Sequence, residues 1–276
     1  MLDPNSDPPT ASGVTADFVR DSMTQARFIN VVVTGNAIVR SRVLNLFSNS
    51  VKDTLQIPFA VTGAPTATAR ALLDGDGASY GQGARAVRLQ VTGSSFATGA
   101  QVALTPPSGA AADAPGIQVV GTELVSSTSV LATLNVPAGA PVGAWGIKVI
   151  NTDGGAATCT ADLTQNPVGT CNLPITAAPV ITAISPNQAG RGSTKTFTFS
   201  GSNLSAGGDT ATPPVITIGG VTAGTTSLDA NNKQTGAYYN NGTVSETEVG
   251  PQGVTLKNAD TLGETSCSAC VTITNL

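Results

Sequence analysis

Ala86-Val87-Arg88-Leu89-Gln90-Val91-Thr92-Gly93-Ser94-Ser95-Phe96 is the stretch whose reading decides the fold. Val87, Leu89 and Val91 alternate with polar residues, the period of two that a half-buried strand requires. The strand runs into Gly93-Ser94-Ser95-Phe96, and the same order returns 108 residues on, where Thr196-Phe197-Thr198-Phe199-Ser200 runs into Gly201-Ser202-Asn203-Leu204. Val149-Ile150-Asn151-Thr152-Asp153-Gly154-Gly155 matches Leu256-Lys257-Asn258-Ala259-Asp260-Thr261-Leu262-Gly263 at an offset of 107, and Cys159 matches Cys267 at 108. Chance matches in a chain rich in Gly and Thr do not hold one register over this span. The chain therefore contains an internal duplication.

Each unit carries further period-two segments. Ile147 and Val149 flank Lys148, Phe197 and Phe199 flank Thr198, and Val215-Ile216-Thr217-Ile218 and Val271-Thr272-Ile273 read as short strands. Pro106-Pro107, Asp153-Gly154, Pro213-Pro214 and Asn241-Gly242 supply turn signals between them. About seven short strands in roughly 100 residues read as a β-sandwich. Gly93 and Gly201 are expected where a strand turns sharply with positive φ. Trp145, the single tryptophan, falls in a strand and is assigned to a core.

These residues resemble the IPT/TIG family of immunoglobulin-like domains. The first unit shows Gly81-Gln82-Gly83, a strand, Thr92-Gly93-Ser94-Ser95-Phe96, Gly99-Ala100-Gln101-Val102, Val125-Ser126-Ser127-Thr128, Pro141-Val142-Gly143 and the closing Asn151-Thr152-Asp153-Gly154. The second opens on Pro179-Val180-Ile181-Thr182 and Ile184-Ser185-Pro186, and a polar insert at 228–241 leaves its middle strands open. The resemblance covers roughly residues 66–276 and implies two tandem immunoglobulin-like β-sandwiches at 66–177 and 178–276; with the N-terminal β-rich arm read at 1–65, the chain is expected to be all-β. It implies a scaffold with loops at both ends and no particular activity, because the family serves in receptors, adhesins, enzymes and virion proteins alike.

The first 65 residues do not match the repeat. Residues 3–9 are rich in Pro and Asp and read as an extended arm. Residues 15–27 suggest a short helix capped by Thr15 or Asp17. Strands are expected at 27–34, 37–47 and 54–61, with Gly35-Asn36 turning between the first two. Three strands make a poor independent domain. They either extend the sheets of the first sandwich or pair with another subunit through their edges, and the second reading is preferred.

Composition narrows the function. In 276 residues charged side chains are 11%, against roughly 25% in ordinary soluble domains, which suits short strands and tight turns rather than a helical bundle. Hydrophobic residues at 40% and a net charge of -4 argue against disorder. Thirteen scattered Lys and Arg against 17 acids give no phosphate-binding surface, so no nucleic acid is expected. There is no histidine, which removes the commonest general base and the commonest metal ligand. No apolar run approaches the roughly 20 residues of a spanning helix, so no membrane insertion is expected. Met1-Leu2-Asp3-Pro4 lacks the basic and apolar parts of a signal peptide. A removed signal, release inside a virion, or cytosolic residence remain as routes, the last disfavoured by the cysteines.

Four cysteines fall in two local pairs, Cys159 with Cys171 and Cys267 with Cys270. Two disulfides are the preferred reading, with an oxidising compartment to match; the first loop would contribute about 3 kcal/mol on a chain-entropy account. Four cysteines permit three connectivities, and zinc would need both pairs to converge. Cys267-Ser268-Ala269-Cys270 lacks the helix that makes such a motif redox-active. Asp74-Gly75-Asp76-Gly77 looks like a small calcium loop but lacks the closing bidentate acid, and a plain turn is preferred. Asp153 and Asp260 are read as turn residues. Tyr238 and Tyr239, beside Asn240-Asn241-Gly242, form a candidate ligand-contacting loop. Asn203-Leu204-Ser205 and Asn241-Gly242-Thr243 match the N-glycosylation pattern. Glu246 and Glu248 would share one face of a strand, most simply a solvated face.

The sequence thus predicts a non-enzymatic structural protein without cofactor or metal. It would be a self-assembling or surface-decorating subunit of an extracellular filament or virion, forming a homo-oligomer or meeting other subunits through residues 1–65. A surface adhesin or carbohydrate-binding module, taking a cell-surface glycan, is the alternative. A third reading, the accessory part of a larger enzyme, needs a catalytic domain that neither end of this sequence indicates. Localisation is expected to be extracellular, on a cell or virion surface.

Overall fold

A computed structural model describes residues 13–21, 25–34, 37, 39–47, 54–159, 171–205 and 211–275. Every helix or strand among them is a strand, and the fold class is all-β. The chain divides into two units, Met1–Ala64 and Pro65–Leu276.

In the first unit β1 (Val14–Arg20) pairs antiparallel with β2 (Ala26–Val33), and β3 (Arg40–Phe47) with β4 (Thr54–Val61). The helix expected at 15–27 is corrected to the strand β1. Its Val, Thr and Phe residues favour an extended chain, and the antiparallel ladder to β2, running from Val14 to Arg20, outweighs a lone cap signal. The Gly35-Asn36 turn lies outside the described residues.

The first sandwich follows from β5 (Thr66–Leu72), β6 (Tyr80–Gly81), β7 (Val87–Ser94), β8 (Gln101–Thr105), β9 (Gln118–Ser126), β10 (Ser129–Asn135), β11 (Gly143–Ile150), β12 (Ala156–Thr158) and β13 (Asn172–Thr176). One sheet runs β5-β7-β10-β9. In the other, β8 lies on one side of β11, and β12 and β13 follow end to end on the opposite side. The short β6 then runs parallel to β13. Lettered in chain order, strands A-B-E-D face C-F-G, the immunoglobulin arrangement. Leu89, Val91 and Leu134 meet Trp145, Ile147 and Leu173 in the core between the sheets. Trp145 is buried as expected and donates its Nε1–H to the carbonyl of Pro141 at 2.9 Å. Each such side chain contributes about 1.5–3 kcal/mol on leaving water. Slipping β7 by one residue would bring Arg88 and Gln90 inward in place of Val87, Leu89 and Val91, so the register is strongly specified.

The second sandwich repeats this order with β14 (Val180–Ser185), β15 (Gln188–Gly190), β16 (Thr194–Ser202), β17 (Val215–Ile218), β18 (Val221–Thr222), β19 (Thr225–Leu228), β20 (Gly236–Val244), β21 (Gly250–Lys257) and β22 (Glu264–Thr274). Its sheets are β14-β16-β20, with β18 and β19 both on the outer edge of β20, and β17-β21-β22-β15, with β15 parallel to β22. Phe197, Phe199, Leu256 and Ile273 are fully buried between them. The polar insert at 228–241 resolves into the end of β19, a loop and most of β20. Asn241-Gly242 is no turn: Asn241 has φ +53° inside β20, and the ladder to β16 shifts register there, so it marks a bulge. Glu246 and Glu248 lie in the connection between β20 and β21 and do not alternate along a strand.

Candidate functional site

The repeated Gly-Ser segment builds the same knuckle twice. A Cβ on Gly93 would stand 1.8 Å from the carbonyl oxygen of Thr66, and one on Gly201 equally close to that of Val180. Neither glycine has the expected positive φ; that conformation falls two residues on, at Ser95 (+57°) and Asn203 (+55°). The glycines are needed because the strand A backbone presses on B at this point. Each knuckle is tied down by the asparagine of the F–G turn. Asn151 Nδ2–H donates to the Ser95 carbonyl at 2.8 Å, and Asn258 Nδ2–H to that of Asn203 at 3.0 Å. Both amides are buried, so the sequence match at these positions reflects a shared structural role.

The F–G turn of the second sandwich, residues 258–264, also does something its counterpart in the first does not. It enters the end of the first sandwich. Gly81 N–H donates to the Thr261 carbonyl (2.7 Å), Glu264 N–H to that of Gln82 (3.2 Å), and Asp76 N–H to that of Asp260 (2.8 Å). Leu262, held at φ +60°, packs against the first core. Gln82 completes the joint: its side-chain amide donates to Ala140 O (2.6 Å) and accepts from Ala178 N–H (3.1 Å) in the link between sandwiches. The glycines of Gly81-Gln82-Gly83 serve this close approach. A Cβ on Gly83 would stand 2.5 Å from the carbonyl oxygen of Glu264.

Beside the joint lies an open cleft of about 470 Å³, lined among others by Arg85, Gln118 and Asn135 from the first sandwich and Glu264, Thr265 and Ser266 from the second. Its lining is polar and mixed in charge, without an aromatic ring. Near the joint, Asp74 accepts from Arg88 through its side chain (Nη2, 2.8 Å) and its backbone N–H (2.7 Å), and the Arg88 hydrogen bond holds its carboxyl below the usual range. Tyr80 is buried and donates to the Arg88 carbonyl at 2.6 Å; burial, with the Asp74 charge adding, pushes its phenol up to about 12. Asp76 Oδ1 accepts from Ala78 N–H. The run 74–77 is thus a turn whose carboxylates are engaged by the framework, and among the described residues no group of three or more His, Cys, Asp or Glu could hold a metal ion.

Cys159 is paired with Cys171, and Cys267 with Cys270, at Cα separations of 5.4 and 5.9 Å. Both bonds do one job. β12 and β13 are two halves of one strand G, and the first disulfide ties their adjoining ends. In the second sandwich two steps of β21, Val254 to Gln252, span four of β22, Cys267 to Val271, and the second disulfide bridges that bulge. The two interruptions occupy equivalent places, opposite Ile147 and Val254.

Tyr238 and Tyr239 do not lie in a loop; both belong to β20. Tyr239 is buried, and its hydroxyl accepts from Gly224 N–H at 3.2 Å. Tyr238 is half-buried and donates to Asp229 at 2.8 Å, a bond that raises its phenol and helps lower Asp229, for which the Asn231 N–H is the larger cause. In both glycosylation patterns the asparagine, Asn203 or Asn241, is exposed; in the first, Leu204 and Ser205 behind it are buried. Sequence reasoning missed the joint. The only available signal was Gly81-Gln82-Gly83, together with the extra residue and the leucine that set turn 258–263 apart from 151–155.

No family model matches the chain, and no curated protein does. Among solved structures it is similar to the plexin A4 extracellular region (TM-score 0.36, 11% identity), covering 77% of this chain and 16% of that one. It is similar to a Bacteroides ovatus surface glycan-binding protein, SGBP-B of a mixed-linkage glucan utilization locus, solved with a heptasaccharide (0.23, 16% identity, 97% and 61%). A titin immunoglobulin tandem matches at 0.20 and 12% identity over 76% and 99%. The chain thus spans about a sixth of the plexin region and under two thirds of the glycan-binding protein.

Proposed function

We propose that this chain is a non-catalytic structural protein, a self-assembling or surface-decorating subunit of an extracellular filament or virion. One observation carries the reading. Among the described residues the N-terminal unit holds two antiparallel strand pairs, β1-β2 and β3-β4, and neither pairs with a third strand. A lone hairpin is marginal in water, and open edges accept strands from another chain. Residues 1–65 are therefore the homotypic contact. The two sandwiches, of IPT/TIG type by their glycine pattern and strand order, form the rest of the subunit. The paired cysteines suit an oxidising exterior. Removing residues 1–64 should leave soluble, folded monomers by sedimentation and electron microscopy; assembly unchanged by the deletion overturns the reading.

A second reading, a surface adhesin or carbohydrate-binding module, is favoured by the polar cleft between the sandwiches, where Arg85 and Glu264 stand among amide and hydroxyl side chains. A glycan array probed with the whole chain and with Arg85→Ala tests it. Binding lost in the variant supports the cleft, and an array without hits removes the reading.

A further inference from the structure

The end of the first sandwich that receives turn 258–264 has an equivalent in the second. Gly81-Gln82-Gly83 corresponds to Gly190-Arg191-Gly192. Gln82 N–H donates to Thr176 O at the end of strand G (3.0 Å), and Arg191 N–H donates to Thr274 O (3.1 Å). Val136 N–H donates to Ala84 O (2.8 Å), and Val244 N–H to Ser193 O (2.9 Å). Gly83 and Gly192 share positive φ, +86° and +67°. The occupancy differs. Gly81 is buried beneath the incoming turn with Gln82 and Gly83 half-buried, whereas Gly190 is half-buried and Arg191 and Gly192 are exposed. A Cβ on Gly192 would meet only the Glu246 side chain, at 3.5 Å.

The incoming element has an equivalent too. Turn 151–155 closes through Asn151 N–H to Gly155 O at 2.8 Å, and turn 258–263 through Asn258 N–H to Gly263 O at 2.8 Å. Both end on glycine: a Cβ on Gly263 would stand 3.1 Å from the Cα of Gly81, a tight approach across the occupied joint, and one on Gly155 would stand 3.1 Å from Pro65 Cδ and Asp153 Oδ1. Thr152, Asp153 and Gly154 are exposed. Gly81 and Gln82 address the turn through backbone N–H and C=O groups, so the seat reads the shape of the turn rather than its side chains.

We propose that Gly190-Arg191-Gly192 is a docking seat for turn 151–155 of a second copy of this chain, so that copies join head to tail. Such a heterologous contact leaves a seat open at one end and a turn open at the other, and propagates into an open chain. It adds a second, weaker contact between copies to the one assigned above to residues 1–65, and rests on that assembly reading. Turn 151–155 is one residue shorter than its counterpart and carries no leucine in place of Leu262. The intermolecular contact is therefore weaker than the intramolecular joint, and reversible.

The test uses the full chain with a benzophenone amino acid in place of Arg191, irradiated over a concentration series, with crosslinks mapped by mass spectrometry. Gly155→Val serves as the second variant, its fold checked by thermal melting. Crosslinks to residues 152–156 of another copy are expected, with association at least about tenfold weaker in Gly155→Val. Crosslinks to residues 1–64 of another copy overturn the occupant. Assembly that needs residues 1–64 while position 191 crosslinks nothing overturns the seat and leaves the assembly reading standing. A chain that stays monomeric throughout overturns both.

Discussion

A Cβ placed on Gly81 would stand 2.7 Å from the Cα of Gly263. These two glycines belong to different sandwiches, and their contact lets the Gly81 N–H reach the Thr261 carbonyl. Gly81→Val is expected to open this joint without unfolding either core. Backbone presses on backbone here, so the added side chain has no flexible neighbour to displace, at a cost of about 1–3 kcal/mol. Leu262→Ala should act in the same direction by about 1–3 kcal/mol, since the leucine is only partly buried. Calorimetry should show one cooperative transition of residues 65–276 splitting into two. A single unshifted transition would falsify the coupling.

The knuckle glycines should tolerate less. Gly93→Ala and Gly201→Ala each place a methyl 1.8 Å from a carbonyl oxygen of strand A. Each should cost more than about 2 kcal/mol, whereas Ser95→Gly, which relieves a positive φ, should be neutral or stabilising. Urea midpoints read both. An alanine at 93 without effect would mean that strand A moves aside freely.

Asn151→Ala removes a group that donates to Ser95 O at 2.8 Å and accepts from Ala97 N–H at 3.0 Å. Two backbone groups lose their partner, at about 1–3 kcal/mol each where water cannot replace it. Asn258→Ala should behave alike in the second sandwich. Amide exchange should rise at Ala97 in the first variant; protection retained there counts against the anchoring role.

Tyr80 gives the chain an alkaline limit. Its folded phenol, near 12, lies above the ordinary value near 10. A group raised on folding lends stability that is complete below its unfolded value and lost as pH climbs through its folded one. Stability should therefore decline between about pH 10 and 12, by up to about 2 kcal/mol after allowing for solvent screening. Tyr80→Phe should flatten that decline, at the cost of about 1 kcal/mol at neutral pH for the lost bond to Arg88 O. An unchanged alkaline slope in the variant would show that another group sets the limit.

The two disulfides should differ in worth because their loops do. Separations of 12 and 3 residues correspond to about 3 and 2 kcal/mol on the chain-entropy account. Replacing Cys159 and Cys171 by alanine should lower the urea midpoint more than replacing Cys267 and Cys270. The reverse order would locate the stabilisation in native contacts at the bulge.

The strands β7, β11 and β16 could be read directly, because alternation along one strand is a local property that burial enforces. So could the repeat, since Gly93 and Gly201, and Asn151 and Asn258, meet the same demands in both copies. The strand at 14–20 could not be read. Its partner is another strand, β2, and a cap-like residue is indistinguishable from a strand residue until the pairing exists. Tyr238 and Tyr239 misled for a similar reason. Their polar neighbours suggest a loop tip, but Tyr239 points into a core assembled from distant strands.

The sequence by itself determined that this chain is all-β and duplicated, because period two, turn residues and a constant offset are all written along one dimension. Only the tertiary structure decided what the glycines are for. Gly93 and Gly201 make room for a neighbouring strand, and Gly81, Gly83 and Gly263 make room for a neighbouring domain. A missing side chain records that something comes close. What comes close is set by contacts between residues far apart in the chain, which the order of residues does not show.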